Sequence, residues 1–198
     1  MESYRTLEKA ASDEFTVKKS RFIGYAAPVQ TNEEAVEFIN SIKAKHRDAR
    51  HNVYAYCLRE GHIRRYSDDG EPQGTAGIPV LDVLLKENLT DCAVVATRYF
   101  GGVLLGANGL VRAYTQTAKI GIEKAGIVTV ALCFTASVTC DYNFYGRLQT
   151  IICEHGGIVE DVDFSENVCL SFRIPSDSFE QLDAAVFDKS RGKIRCKK

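Results

Sequence analysis

Between Thr97 and Tyr114 the chain reads TRYFGGVLLGANGLVRAY, which sets Gly101, Gly102, Gly106 and Gly109 between Arg98 and Arg112. Backbone N–H groups without side chains in the way can converge on a phosphate or carboxylate, and a helix N-terminus adds partial positive charge. Two flanking arginines can supply the fork. The spacing from Gly101 to Gly106 matches the first part of a P-loop, but Ala107 and Asn108 stand where that motif needs Lys and then Ser or Thr. Nucleotide hydrolysis by a P-loop is thereby excluded. A purely architectural account gives the glycines to turns and helix packing, Asn108 to the helix cap and the arginines to surface ion pairs; the clustering of all six favours a site.

A second segment, Ser67 to Gly77, reads SDDGEPQGTAG and is a loop by composition. Thr75 is placed to cap a helix beginning near Gly77, with Pro79 in its first turn. Asp68, Asp69 and Glu71 form an alternative loop site, since oxygen ligands suit a hard cation and carboxylates accept protons. The calcium-loop pattern fails because no acid follows at the required offset. No metal and no cofactor is assigned.

Basic and aromatic side chains interleave from Lys43 to Arg65. Lys43, Lys45, Arg47, Arg50, Arg59, Arg64 and Arg65 face only Asp48 and Glu60, among His46, His51, His62, Tyr54, Tyr56 and, just beyond, Tyr66. Cations for phosphates and rings for splayed bases are what RNA contact requires; the competing account is a solvated helix end followed by a hairpin. Lys189, Arg191, Lys193, Arg195, Lys197 and Lys198 near the C-terminus read as a solubilising tail.

These groups need elements to hold them. Phe22 to Val29 reads as a strand, and Thr31 with Glu34 makes a capping box for a helix burying Ala35, Phe38, Ile39 and Ile42. Asn52 to Arg59 and His62 to Tyr66 form a hairpin turned at Glu60-Gly61. A buried helix follows over Ile78, Val80, Leu81, Leu84 and Leu85, then a central strand Ala93 to Arg98 and a long helix Leu110 to Lys124 ended by Gly126. Past Ile127 the pattern restarts as strand Phe134–Cys140, helix Phe144–His155, strands Ile158–Phe164 and Val168–Ile174, helix Phe179–Lys189 and a short strand Lys193–Cys196. That β-α-β-β-α-β order is the ferredoxin-like split unit, so two domains are expected, 1–131 and 132–198.

With 198 residues, 45% of them apolar, the chain can bury a core in either half, and its formal charge of −1 makes it no polycation. No run of 18 apolar residues occurs and the N-terminus MESYRTLEKAASDEF is too polar for a signal peptide, so a cytoplasmic location is expected. Seven cysteines with no CxxC pair read as reduced core thiols. No nucleophile elbow or triad can be assembled, and His46 and His51, five residues apart, would not share one helical face.

The runs KHRDARHNVYAYCL (Lys45 to Leu58), YSDDGEPQGTAGIPVLDVL (Tyr66 to Leu84) and TRYFGGVLLGANGLVRAY together resemble the IMPACT family, specifically its bacterial YigZ-like members. The resemblance implies an N-terminal domain with the βαβ fold of elongation factor G domain IV and GHMP kinases, the ribosomal-protein domain-2-like type. It implies a C-terminal domain resembling elongation factor G domain V. It also implies a link to translation, because the eukaryotic relatives restrain a translational-control kinase by competing for its activator. Those relatives carry an added RWD domain, for which no N-terminal region is expected here.

The expectation is thus a two-domain α+β protein that regulates or binds in translation, with RNA, the ribosome or a translation-associated protein as partner. Lys45, His46, Arg47, Arg50, Arg64, Arg65, Arg98, Gly101, Gly102, Gly106, Asn108, Gly109 and Arg112 are the candidate phosphate- or nucleic-acid-binding residues; no catalytic residue is assigned. One alternative is a phosphate-recognising metal-dependent enzyme using Asp68, Asp69 and Glu71. Another is a pure protein-interaction module with Tyr99, Phe100 and Leu104 as an apolar anchor.

Overall fold

Ala93, Val94, Val95 and Ala96 are completely buried, because the strand that carries them is covered on both faces. A computed structural model describes residues 3–198, and two units separate within it, Tyr4–Val130 and Ala131–Lys198. The first contains strands β1 (Tyr4–Leu7), β2 (Ala11–Val17), β3 (Ser20–Pro28), β4 (His51–Cys57), β5 (Arg64–Ser67), β6 (Cys92–Tyr99) and β7 (Ile127–Val130). Its helices are α1 (Asn32–Lys45), α2 (Gly77–Lys86) and α3 (Ala107–Ala125).

The main sheet has the order β2-β3-β6-β4-β5 with every neighbouring pair antiparallel. β3 and β4 are therefore parallel to each other, joined through α1, with β6 inserted between them. Alternate residues of each strand serve opposite faces. Ile23, Tyr25, Tyr56, Ala93 and Val95 pack on Ala35, Ile39 and Ile42 of α1. Phe22, Val53, Ala55, Val94 and Ala96 pack on Val80 and Leu84 of α2 and on Leu110, Tyr114, Ala118 and Ile122 of α3. Helix and sheet backbones touch at Gly24, where a Cβ would lie 2.1 Å from the Thr117 carbonyl oxygen. Thr31 caps α1 by accepting from the Glu34 N–H at 3.2 Å, while Glu34 accepts from the Gln30 N–H at 2.7 Å.

Three strands were not foreseen. β2 is an edge strand whose Asp13 and Glu14 point to solvent, so its apolar alternation is thin. β1 and β7 pair antiparallel in a separate ribbon, Tyr4 opposite Val130 and Leu7 opposite Ile127, a contact between segments far apart in sequence that no local pattern announces.

The second unit contains β8 (Cys133–Cys140), α4 (Tyr142–Glu154), β9 (Ile158–Phe164), β10 (Val168–Pro175) and α5 (Phe179–Lys189), with antiparallel order β8-β10-β9. β8 and β9 are parallel with β10 between them, and Val138, Leu148, Ile152, Leu170, Phe172, Leu182 and Val186 form the core. The short strand expected at Lys193–Cys196 does not form. The Ile194 N–H goes to Ser190 Oγ at 3.0 Å and the Cys196 N–H to Asp183 Oδ1 at 2.8 Å, bonds that tie the segment to α5 and the residue that follows it. Only an antiparallel bridge between Ser137 and Lys197 marks that edge.

All seven cysteines are unpaired, but only Cys57, Cys92 and Cys140 are buried; Cys133 and Cys153 are exposed. Among the described residues, no helix is long and apolar enough to cross a membrane.

Candidate functional site

Asp68 works as a cap reached from a distance. Its Oδ1 accepts from the Ala76 and Gly77 N–H groups at 3.1 and 2.8 Å, and its Oδ2 from the Gly74 N–H at 2.9 Å, satisfying donors at the start of α2. This corrects the assignment of that cap to Thr75, whose hydroxyl donates instead to the Pro72 carbonyl at 2.6 Å. Asp69 is equally occupied. Its Oδ2 accepts from the Asn52 N–H at 2.6 Å, its Oδ1 from Lys43 Nζ at 3.0 Å, and its carbonyl from His51 Nδ1 at 2.8 Å. Because a carbonyl oxygen only accepts, that last bond places a proton on His51 Nδ1.

Glu71 is buried, and its Oε1 accepts from Arg98 Nη1 at 2.6 Å and from the Tyr114 hydroxyl at 2.8 Å. Burial, followed by the Glu71 charge, drives the Tyr114 phenol far above its ordinary range. His51 Nε2 stands 3.8 Å from the same oxygen. The Arg98 guanidinium lies between the rings of Phe22 and Phe100, 5.4 and 5.3 Å from their centroids. Arg98 is therefore not an exposed phosphate fork; its charge is spent on Glu71, although its buried Nε has no partner. Nor does Arg112 join it, since Arg112 is exposed on α3 and does not line the cleft beside Arg98. The three loop acids thus cap a helix, hold a lysine and pair with an arginine, and among the described residues no group of three His, Cys, Asp or Glu side chains is arranged to hold a metal.

The cleft, of about 400 Å³, opens where β6 ends. It is lined by the polar side chains of Arg50, His51, Glu71 and Arg98 and by the apolar ones of Phe100, Leu104, Leu105 and Leu110, with Gly106 and Ala107 at the start of α3. Gly106 has φ 73° and ψ 164°, a conformation open in practice only to glycine, and nothing lies within 4 Å of where its Cβ would be. It occupies the N-cap position; Asn108 lies inside the first turn, makes no cap, and no acid neutralises that turn. Gly101 serves packing, as a Cβ there would stand 2.0 Å from the Lys19 backbone, and a Cβ at Gly109 would crowd Leu105 at 3.1 Å, whereas Gly102 faces open space.

The basic-aromatic segment divides. His46 is buried: the Tyr25 hydroxyl meets its Nε2 at 2.7 Å, and its Nδ1 meets the Tyr99 hydroxyl at 2.8 Å. Tyr99 spends its own proton on Asp48 at 3.1 Å, so Nδ1 donates and Nε2 accepts. Burial, reinforced by the Lys45 charge, lowers the His46 pKa. His46 is thus structural and unavailable to nucleic acid. Lys45 lies over the Tyr25 ring at 5.0 Å and Arg47 is exposed at the end of α1. Arg64 and Arg65 are exposed on edge strand β5, where strand alternation turns them to opposite faces. Ser20 and Tyr114, which complete the Arg98 network, gave no signal in the sequence because they lie 78 residues before and 43 residues after their partners.

Comparison with known proteins places this geometry. The profile described as the Impact N-terminal domain matches residues 18–122, and a domain of unknown function, DUF1949, matches residues 138–193. The chain is 42% identical to "IMPACT family member YvyE" of Bacillus subtilis over 85% of its own length and 78% of that protein. It is 31% identical to "IMPACT family member YigZ" of Escherichia coli, covering 90% of this chain and 89% of that one. A solved structure described as "Crystal structure of an hypothetical protein" superposes with a TM-score of 0.63 at 30% identity, covering all of this chain and 97% of the other.

Proposed function

We propose that this chain, which belongs to the IMPACT family as a bacterial YigZ-like member, is a translation-associated regulator that contacts RNA or the ribosome through its first unit. The observation that carries this reading is a set of unspent charges. Arg47, Arg50, Arg64, Arg65 and Arg112 are exposed, and none has a carboxylate within ion-pair distance among the described residues. Arg47 also donates from Nε to the Ala44 carbonyl at 3.1 Å, but no carboxylate neutralises any of the five, so their charge is free to meet phosphate, and phosphate contact is the term that dominates nucleic-acid affinity.

Each unit builds a split β-α-β arrangement, β3–α1–β4 around β6 and β8–α4–β9 around β10. This supports taking the two units as counterparts of elongation factor G domains IV and V. The enzyme alternative draws no support from Asp68, Asp69 and Glu71, whose oxygens already accept from backbone N–H groups, Lys43 and Arg98.

Co-sedimentation with ribosomes at low and high salt, alongside titration with single-stranded RNA, tests the reading. Salt-sensitive association is expected; absence of both associations at low salt overturns it.

A further inference from the structure

We propose that the cleft beside Arg98 binds a small organic oxyanion, a phosphate monoester or carboxylate carried on an apolar body. This goes beyond the nucleic-acid reading and does not depend on it.

Four observations converge. First, α3 is 19 residues long and begins in the cleft with no side-chain cap. The Ala107, Asn108 and Gly109 N–H groups have no partner among the described residues; the first intrahelical bond is that of the Leu110 N–H to the Gly106 carbonyl at 2.9 Å. Uncapped donors at a long helix start favour an anion. Second, Arg98 lines the same cleft, is 4% exposed, and keeps a buried Nε without any partner. An unsatisfied guanidinium N–H at that depth is costly unless something completes it. Third, the charges leave room for one negative group: Arg98 is neutralised by Glu71 at 2.6 Å, while Arg50 at the rim is not neutralised. Fourth, the same cleft is lined by Phe100, Leu104, Leu105 and Leu110, and Leu104 is 82% exposed. An exposed leucine beside an anion-holding helix start is what an apolar body would cover. The volume suits a ligand of that size, and apolar side chains such as Phe100, Leu104, Leu105 and Leu110 offer nothing to the phosphates of a long polyanion.

The test uses the full chain, labelled with ¹⁵N, and phenyl phosphate, phenylacetate, inorganic phosphate and the neutral phenylacetamide as probes. Phenyl phosphate or phenylacetate is expected to move the Ala107, Asn108 and Gly109 amide signals saturably, and their relative affinity identifies the head group. The better aryl anion should bind at least about tenfold more tightly than inorganic phosphate, because the ring buries apolar surface. Leu104→Asp, at an exposed position, and Arg50→Gln should each weaken binding roughly fivefold or more, by repulsion and by lost charge respectively. Arg64→Gln should leave it unchanged. Leu104→Asp should keep RNA affinity, so failure here is distinguishable from failure of the nucleic-acid reading. Absence of saturable shifts at millimolar anion, equal binding of phenylacetamide, or parental affinity in both Leu104→Asp and Arg50→Gln overturns the proposal.

Discussion

Oε1 of Glu71 lies 2.6 Å from Nη1 of Arg98, and both side chains are almost wholly withdrawn from water, at 4% and 5% exposure. Breaking a buried pair by removing one partner strands the other charge, which is far costlier than the pair is worth. Glu71→Ala should therefore destabilise the first unit by about 3–5 kcal/mol in urea unfolding. The double substitution Glu71→Leu with Arg98→Met should recover part of that loss, the remainder being the buried Tyr114 hydroxyl left without its acceptor. A cost below that of an ordinary surface change would mean the pair is solvated in solution.

This pair also shows what sequence can and cannot disclose. The strand, glycine loop and helix of residues 92–125 were legible because apolar periodicity and glycine spacing are local. The role of Arg98 was not, since an arginine beside glycines carries no mark of burial until Glu71 and Tyr114 arrive from elsewhere in the chain. The same holds for His46, grouped by sequence with surface cations yet enclosed by Tyr25 and Tyr99. In the second unit β9 and α5 were read with their observed limits, whereas the strand expected at Lys193–Cys196 is reduced to the Ser137–Lys197 bridge, a contact between distant segments that local periodicity does not report.

Asp68 should behave as a helix cap. Asp68→Ala removes the acceptor of three backbone N–H groups and should cost about 1–2 kcal/mol, with Asp68→Asn costing less. Hydrogen exchange at Gly74, Ala76 and Gly77 should accelerate in the alanine variant. Unaltered exchange at those three amides would show that the cap contributes nothing.

His46 gives the first unit a pH dependence of definite sign. Burial lowers its folded pKa, so the unfolded chain takes up the proton first. Its contribution is intact above the ordinary histidine value near about 6.5 and is lost as pH falls through that value towards the lowered one. Between about pH 8 and about pH 5.5 the parent should lose more stability than His46→Gln does. Equal losses would place the imidazole in contact with solvent.

Fragments 4–130 and 131–198 should each unfold cooperatively, since each holds its own apolar cluster. Ending the first fragment at Gly126 removes β7 and leaves β1 without its partner, so it should lower the midpoint relative to the fragment ending at Val130. If neither fragment shows a cooperative transition, the two clusters are not independent.

The exposed arginines make the nucleic-acid reading quantitative. Each phosphate contact to single-stranded RNA contributes about 0.7 to the slope of log affinity against log salt, so Arg64→Gln with Arg65→Gln should flatten that slope by up to roughly 1.4. Because β5 turns the two side chains to opposite faces, a loss near half that value would identify the single face that meets RNA. Arg112→Gln reports separately on the exposed side of α3. Lys197→Gln with Lys198→Gln removes equal charge from the C-terminus and should leave the slope unchanged. Arg98 is unsuitable for this experiment, because its loss unbalances Glu71 and lowers affinity through folding. Each variant must first match the parent in thermal unfolding. Equal flattening by the β5 and C-terminal pairs would mean that only diffuse charge attracts RNA, and an unchanged slope in all three variants would remove nucleic acid as the partner of this surface.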